Sequence, residues 1–99
     1  MIDATPDQFL KLTQAIIGTE EPFMTELGPM IIAAVSLSVA RDTRSFARKF
    51  EAPHALVLRE CAHLHDTLEL LDRDDRNDRS GRVFLTLSEK AKQIIERTQ

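Results

Sequence analysis

The chain has 99 residues, of which 42% are hydrophobic and 29% are charged, and its formal net charge is -3 at pH 7. These values are typical of one ordinary globular domain and exclude a collagen-like or low-complexity chain. The single cysteine, Cys61, excludes an internal disulfide and fits a reducing compartment. We expect a cytoplasmic protein without membrane contact, because no signal-peptide pattern is visible and the longest apolar run, Met30 to Val35, is far short of the roughly 20 residues of a spanning helix.

Residues 1–40 are predicted to form the N-terminal helices. Thr5-Pro6-Asp7-Gln8 has the pattern of a capping box with proline at the first helical position, and it predicts a helix that Gly18 ends. A short second helical segment is expected from Thr19 to Gly28. Pro29 starts a third helix, running to about Ala40, and its nearly continuous apolar character predicts a buried core helix.

Residues 42–66 are predicted to form two helices joined by a tight turn. The first starts at Asp42 or Thr43 and ends at Phe50, and the second covers His54–Asp66, after a turn at Glu51-Ala52-Pro53. The second helix has two distinct faces at helical spacing. The face expected to be buried contains Val57, Cys61, Leu64 and Leu68. The face expected to point outward contains Ala55, Arg59, Ala62, His63 and Asp66.

The hydrophobic period then changes from helical to strand-like. Leu68 to Arg73 and Arg82 to Thr86 are strand candidates around a polar loop, so residues 68–86 predict a hairpin. Thr86-Leu87-Ser88-Glu89 repeats the capping-box pattern and predicts a last helix in 87–99 with Leu87 on its apolar stripe. The order of elements predicts a single winged helix-turn-helix domain, mainly α with a small β-hairpin, over 1–99.

Two stretches of the chain also resemble known regulator families. Ser45-Phe46-Ala47-Arg48-Lys49-Phe50, followed by His54-Ala55-Leu56-Val57-Leu58-Arg59-Glu60, resembles the helix-turn-helix of phage Rha-type regulators. Leu70 to Ala91 is similar to the wing and following helix of MarR-type repressors. The resemblance implies a phage-related regulator in which the second helix enters the major groove and wing arginines contact phosphate or the minor groove. Glu51 stands where a glycine commonly makes the turn.

The charge distribution gives the predicted function and its alternative. Residues 1–40 hold five acids and one lysine, whereas residues 41–82 hold nine acids and nine basic groups, eight of them arginine. Arginine is well suited to gripping phosphate and guanine, so we expect a homodimeric, sequence-specific transcription regulator of double-stranded DNA. The alternative is a winged-helix protein-interaction module, favoured by the acidic N-terminal part and the wing aspartates. The expected DNA-contacting residues are Arg44, Arg48, Lys49, His54, Ala55, Arg59, His63, Arg76, Arg79 and Arg82.

The sequence predicts neither catalysis nor a bound cofactor. It contains no nucleophile motif, phosphate loop or paired catalytic carboxylates. Cys61 and His65 have a spacing of four residues, which could bring two metal ligands together on a helix, but no CxxC pair supports them. We therefore expect a buried structural cysteine beside surface histidines, with no metal.

Overall fold

The computed structural model describes residues 5–74 and 81–98. The described part is mainly helical with one antiparallel hairpin, as the sequence predicts. The predicted tip of the wing, including Arg76 and Arg79, lies outside the described residues. The elements, in chain order, are α1 (Pro6–Ile17), α2 (Leu27–Ser36), α3 (Thr43–Lys49), α4 (His54–Asp66), β1 (Leu71–Asp74), β2 (Phe84–Leu87) and α5 (Glu89–Thr98).

The first helix begins and ends where the sequence predicts. The Gln8 amide donates to Thr5 Oγ1 at 3.1 Å, and the Thr5 amide donates to Gln8 Oε1 at 2.8 Å, which is a complete capping box. Gly18 is the C-terminal cap. Ile16 is buried against the core, and Phe9 stacks on Phe50 with ring centroids 5.0 Å apart.

The prediction for residues 19–40 is wrong in its boundaries. No helix forms between Thr19 and Glu26, where Glu20 has a φ of 61° and interrupts any helical continuation. Gly28 does not close a helix but lies in the first turn of α2, where Pro29 is tolerated because first-turn amides have no intrahelical acceptor. A Cβ at Gly28 would stand 2.8 Å from the Phe23 ring, so only glycine fits there without a shift. The helix stops at Ser36, four residues early, because Ser38 takes a φ of 58°.

The two helices of the central part match their predicted limits closely. Asp42 caps α3, since its Oδ1 accepts the Ser45 amide at 2.8 Å. Glu51 occupies the turn with a φ of 52°, the left-handed conformation that glycine adopts most readily. The α4 helix covers His54–Asp66, as expected.

The hairpin is confirmed, but both strands are shifted toward the C-terminus. Leu71 pairs with Leu87, and Asp74 pairs with Phe84. Residues 68–70 do not extend the first strand, because Glu69 has a φ of 57° and the Leu70 amide donates to the Leu64 carbonyl, which closes the end of α4. Residues 41–43 pair with the other edge of β2: the Leu85 amide donates to the Arg41 carbonyl at 2.8 Å and the Thr43 amide to the Val83 carbonyl at 3.0 Å.

The start of the last helix also differs from the prediction. Leu87 belongs to β2, and α5 begins at Glu89. Ser88 is the residue that caps it, since Ser88 Oγ accepts the Ala91 amide at 3.2 Å and donates to the Glu69 carbonyl at 2.7 Å. The Thr86 pattern overlaps this cap and predicts an earlier start, because the local sequence does not show where the strand pairing ends.

The core forms around α2, as its apolar sequence predicts. This helix packs against α1, α4 and β2, so three other elements bury their apolar faces on it. Ile31, Ala33 and Ala34 are completely buried within it. The α3 and α4 helices pack on each other and α4 packs on β1, which fixes the hairpin beside the helix pair.

Candidate nucleic-acid interface

The α4 helix has one buried and one exposed face, as its periodicity predicts, except that Ala62 and His63 are half-buried rather than exposed. Val57, Cys61 and Leu64 are each at most 1% exposed. Ala55 and Arg59 are exposed on the opposite side. Because a groove-reading helix needs small residues beside a polar group with long reach, this exposed face has a suitable profile for close approach to a duplex.

One flank of α4 is held against the loop between α1 and α2. The Nε2 atom of His63 lies 3.0 Å from the Pro22 carbonyl oxygen, so His63 is half-buried at the edge of the exposed face rather than at its centre. The Thr25 hydroxyl donates to Glu60 Oε1 at 2.6 Å. These contacts connect the loop before α2 to the middle of α4.

Glu60 does not lie on the solvated surface of α4 beside Arg59. Glu60 is only 2% exposed, and its Oε2 atom is buried with no hydrogen-bond partner among the described residues. A Cβ placed on Gly28 would lie 3.4 Å from that oxygen, which locates the carboxylate at the first turn of α2. The positive end of a helix dipole stabilises a carboxylate there.

A cationic groove lies where α3, the turn, α4 and the start of β2 meet. It has a volume of about 450 Å³. Its lining combines basic side chains from three parts of the chain with two small residues, and no acid is among the described residues that line it. The lining residues are Arg44, Ala47, Arg48, Ala52, His54 and Arg82. Four of the predicted DNA-contacting residues therefore come together on one concave surface.

Hydrogen bonds through Thr43 connect the groove to the hairpin. Thr43 is fully buried, and its Oγ1 accepts the Val83 amide at 3.1 Å and lies 2.8 Å from His54 Nε2. Burial and the neighbouring Arg44 guanidinium lower the pKa of His54, although Asp42 opposes them. The imidazole is therefore mainly neutral at pH 7, and its Nε2 can accept a hydrogen bond from the Thr43 hydroxyl group.

Two of the predicted contact residues, Arg82 and Lys49, have partners within the protein. Arg82 Nε lies 3.4 Å from Asp42 Oδ1, so this arginine both lines the groove and pairs with the cap of α3. The Lys49 ammonium donates to the Val39 carbonyl, and Lys49 does not line the groove.

The cysteine and the histidines do not form a metal site in the described part. Cys61 is 1% exposed, and burial raises the pKa of its thiol to about 12, whereas His65 is exposed and its Nδ1 lies 2.7 Å from Asp66 Oδ1. Within residues 5–74 and 81–98, no three His, Cys, Asp or Glu side chains converge on a point that a metal ion could occupy. In the same ranges, no helix combines the length and apolar character needed to cross a bilayer.

Three residues near this surface were missed by the sequence analysis. Glu60 was detectable, because it lies three residues after Val57 and four before Leu64, on the buried side of the helical period. Leu56 is 42% exposed on the first turn of α4, beside Ala55. Thr43 gave no signal beyond capping, since its partners Val83 and His54 become neighbours only in the folded chain.

Comparisons with known proteins add no relatives. No family model, no curated protein and no solved structure matches this chain.

Proposed function

We propose that this chain is a winged helix-turn-helix protein that binds double-stranded DNA as a transcription regulator. In this proposal α3 and α4 are the helix-turn-helix, and β1 and β2 are the wing. Residues 41–43 form an isolated antiparallel bridge on the other edge of β2, centred on Asp42 and Phe84. The packing of α3 on α4 and of α4 on β1 supports this assignment.

The observation that carries the proposal is that Arg44, Arg48, His54 and Arg82 line one groove at the N-terminal end of α4, the helix that exposes Ala55 and Arg59. A duplex whose major groove receives α4 brings its backbone to the ends and sides of that helix, where Arg44 and Arg48 are exposed. In this arrangement Arg59 is the residue that reads a base, and guanine is its expected partner. The resemblance to Rha-type and MarR-type regulators is in accord with both roles.

A homodimer completes the proposal. Two copies would present two α4 helices to a palindromic or near-palindromic site and would double the number of phosphate contacts. The outer helices α1 and α5 are the proposed contact. Leu10 and Ile17, which are 54% and 48% exposed and seven residues apart on α1, lie on the same side of that helix.

The alternative function is a winged-helix module that binds a protein instead of DNA. The net charge of -3 and the pairing of Arg82 with Asp42 favour it, because both reduce attraction to a polyanion. Winged helices serve both purposes, so the architecture alone does not choose between them.

A mobility-shift assay separates the two functions. The probe is the DNA upstream of the protein's own gene, compared with a random duplex at two salt concentrations. We expect salt-dependent binding with a preference for one sequence. Arg59→Ala should cost about 1–3 kcal/mol of specific binding and relax the base preference, whereas Arg41→Ala, a change of the same type at an exposed residue outside both the groove and the proposed dimer contact, should not. Absence of any duplex binding by the unaltered protein at low salt would refute the proposed function.

A further inference from the structure

We propose that the cationic groove is a binding site for a phosphate group, and that in the DNA complex it holds one backbone phosphate. The second half of this statement rests on the proposed function, but the first half does not. The shared chemistry is the phosphate oxyanion, whether it belongs to a duplex phosphodiester or to a free phosphate.

The groove is large enough for a small tetrahedral anion. Its volume of about 450 Å³ leaves room for one phosphate group together with water. Ala47 and Ala52 are the short side chains of the lining, and they let an anion approach the backbone where α3 ends and the turn begins.

The positive side chains that line the groove repel one another, which lowers the stability of the folded protein. Arg44 and Arg48 are four residues apart on α3, a spacing at which like charges repel each other. Arg82, which lies just before β2, adds a third guanidinium. An anion placed between these groups would relieve the repulsion, which gives the clustering a physical reason.

The existing contacts of the arginines are compatible with an added anion. Arg44 and Arg82 both have other interactions, including the Asp42 contact to Arg82 Nε. A guanidinium carries five N–H donors in a planar fork, and one carboxylate uses at most two of them. Arginine also binds phosphate in a bidentate manner, which favours phosphate over chloride at equal ionic strength.

The start of α4 contributes a second source of donors. Pro53 is its N-terminal cap and has no side-chain hydrogen bond to the helix, and no acid occupies the first turn. The Leu56 and Val57 amides donate to the Pro53 carbonyl, whereas the first two amides of an α-helix have no intrahelical acceptor. This 13-residue helix therefore begins beside the groove, and within the described residues no side chain caps its positive end.

The first experiment is an NMR titration of the full chain with sodium phosphate, compared with sodium chloride at matched ionic strength. We expect saturable shifts of the His54 and Ala55 amides with phosphate only. Arg48→Gln should weaken phosphate binding by about three- to ten-fold, because it removes one charge-assisted contact. Arg41→Gln is the matched control, since it removes the same charge from an exposed position that lines neither the groove nor the proposed dimer contact, and it should leave the titration unchanged. Equal shifts with chloride, or equal affinity in Arg48→Gln and the unaltered protein, would overturn the phosphate site.

The second experiment places the phosphate in a duplex. Short duplexes that carry one neutral methylphosphonate at successive positions should lose affinity at one position per half-site, and Arg48→Gln should be insensitive to the same replacement. Phosphate binding without duplex binding would support the groove as a free-phosphate site and refute the DNA function. Duplex binding that Arg48→Gln and every methylphosphonate leave unchanged would refute the groove assignment while the DNA function stands.

Discussion

Replacement of Glu51 by glycine tests whether the turn between α3 and α4 is strained by its side chain. Glu51 has a φ of 52° and is exposed, so its carboxylate contributes little packing to offset the conformation. A residue with a Cβ pays roughly 1–2 kcal/mol in the left-handed region. Glycine avoids this cost but loses about 0.5–1 kcal/mol through the greater freedom of the unfolded chain. The net expectation for Glu51→Gly is a gain of about 0.5–1 kcal/mol.

The matched control is Glu51→Ala, which removes the same carboxylate but keeps the Cβ. Chemical denaturation of the three proteins gives their free energies of unfolding. The glycine variant should exceed the alanine variant by roughly 0.5–1.5 kcal/mol. In thermal melts a gain of about 1 kcal/mol raises Tm by about 4–8 °C in a domain of this size. If alanine equals or exceeds glycine in stability, the left-handed turn is not a source of strain and the reasoning fails.

Three further outcomes follow from the contacts of single residues. Gly28→Ala should destabilise the protein by about 1–3 kcal/mol, because the added Cβ would stand 2.8 Å from the Phe23 ring. Adding Phe23→Leu to the same chain should recover part of the lost stability. An unchanged unfolding midpoint in Gly28→Ala would contradict the close approach. Folding lowers the pKa of His54 from 6.5, so the contribution of this residue to stability should be fully present above pH 6.5 and be lost as the pH falls through 6.5 toward the folded pKa. Denaturation at pH 5 to 8 should therefore show a smaller loss of unfolding free energy at low pH in His54→Gln than in the unaltered protein. Identical pH profiles would refute this. Cys61 should resist alkylation at pH 8 in the folded protein and react after unfolding in guanidinium, since it is buried and its pKa is raised to about 12; rapid labelling of the folded protein would contradict the structure.

The local sequence determined the elements whose signals lie within one turn of the chain. The Thr5 capping box, the Asp42 cap and the break at Pro53 each act over three or four residues, and the helices beside them start and stop as predicted. On α4 the burial of Val57 and the exposure of Arg59 were also predictable, because both follow from helical period alone.

The tertiary structure decided the features that depend on contacts between distant residues. Position 28 of α2 accommodates glycine without a shift because Phe23 packs where a Cβ would stand. Ser88 caps α5 because β2 continues through Leu87. Glu60 is buried because the first turn of α2 and the Thr25 hydroxyl meet it across 35 residues of chain. The cationic groove has the same origin: its arginines come from α3 and from the hairpin, and only packing brings those parts together. Capping and periodicity act between neighbours along the chain, whereas the convergence of charge on one surface depends on how the finished elements pack.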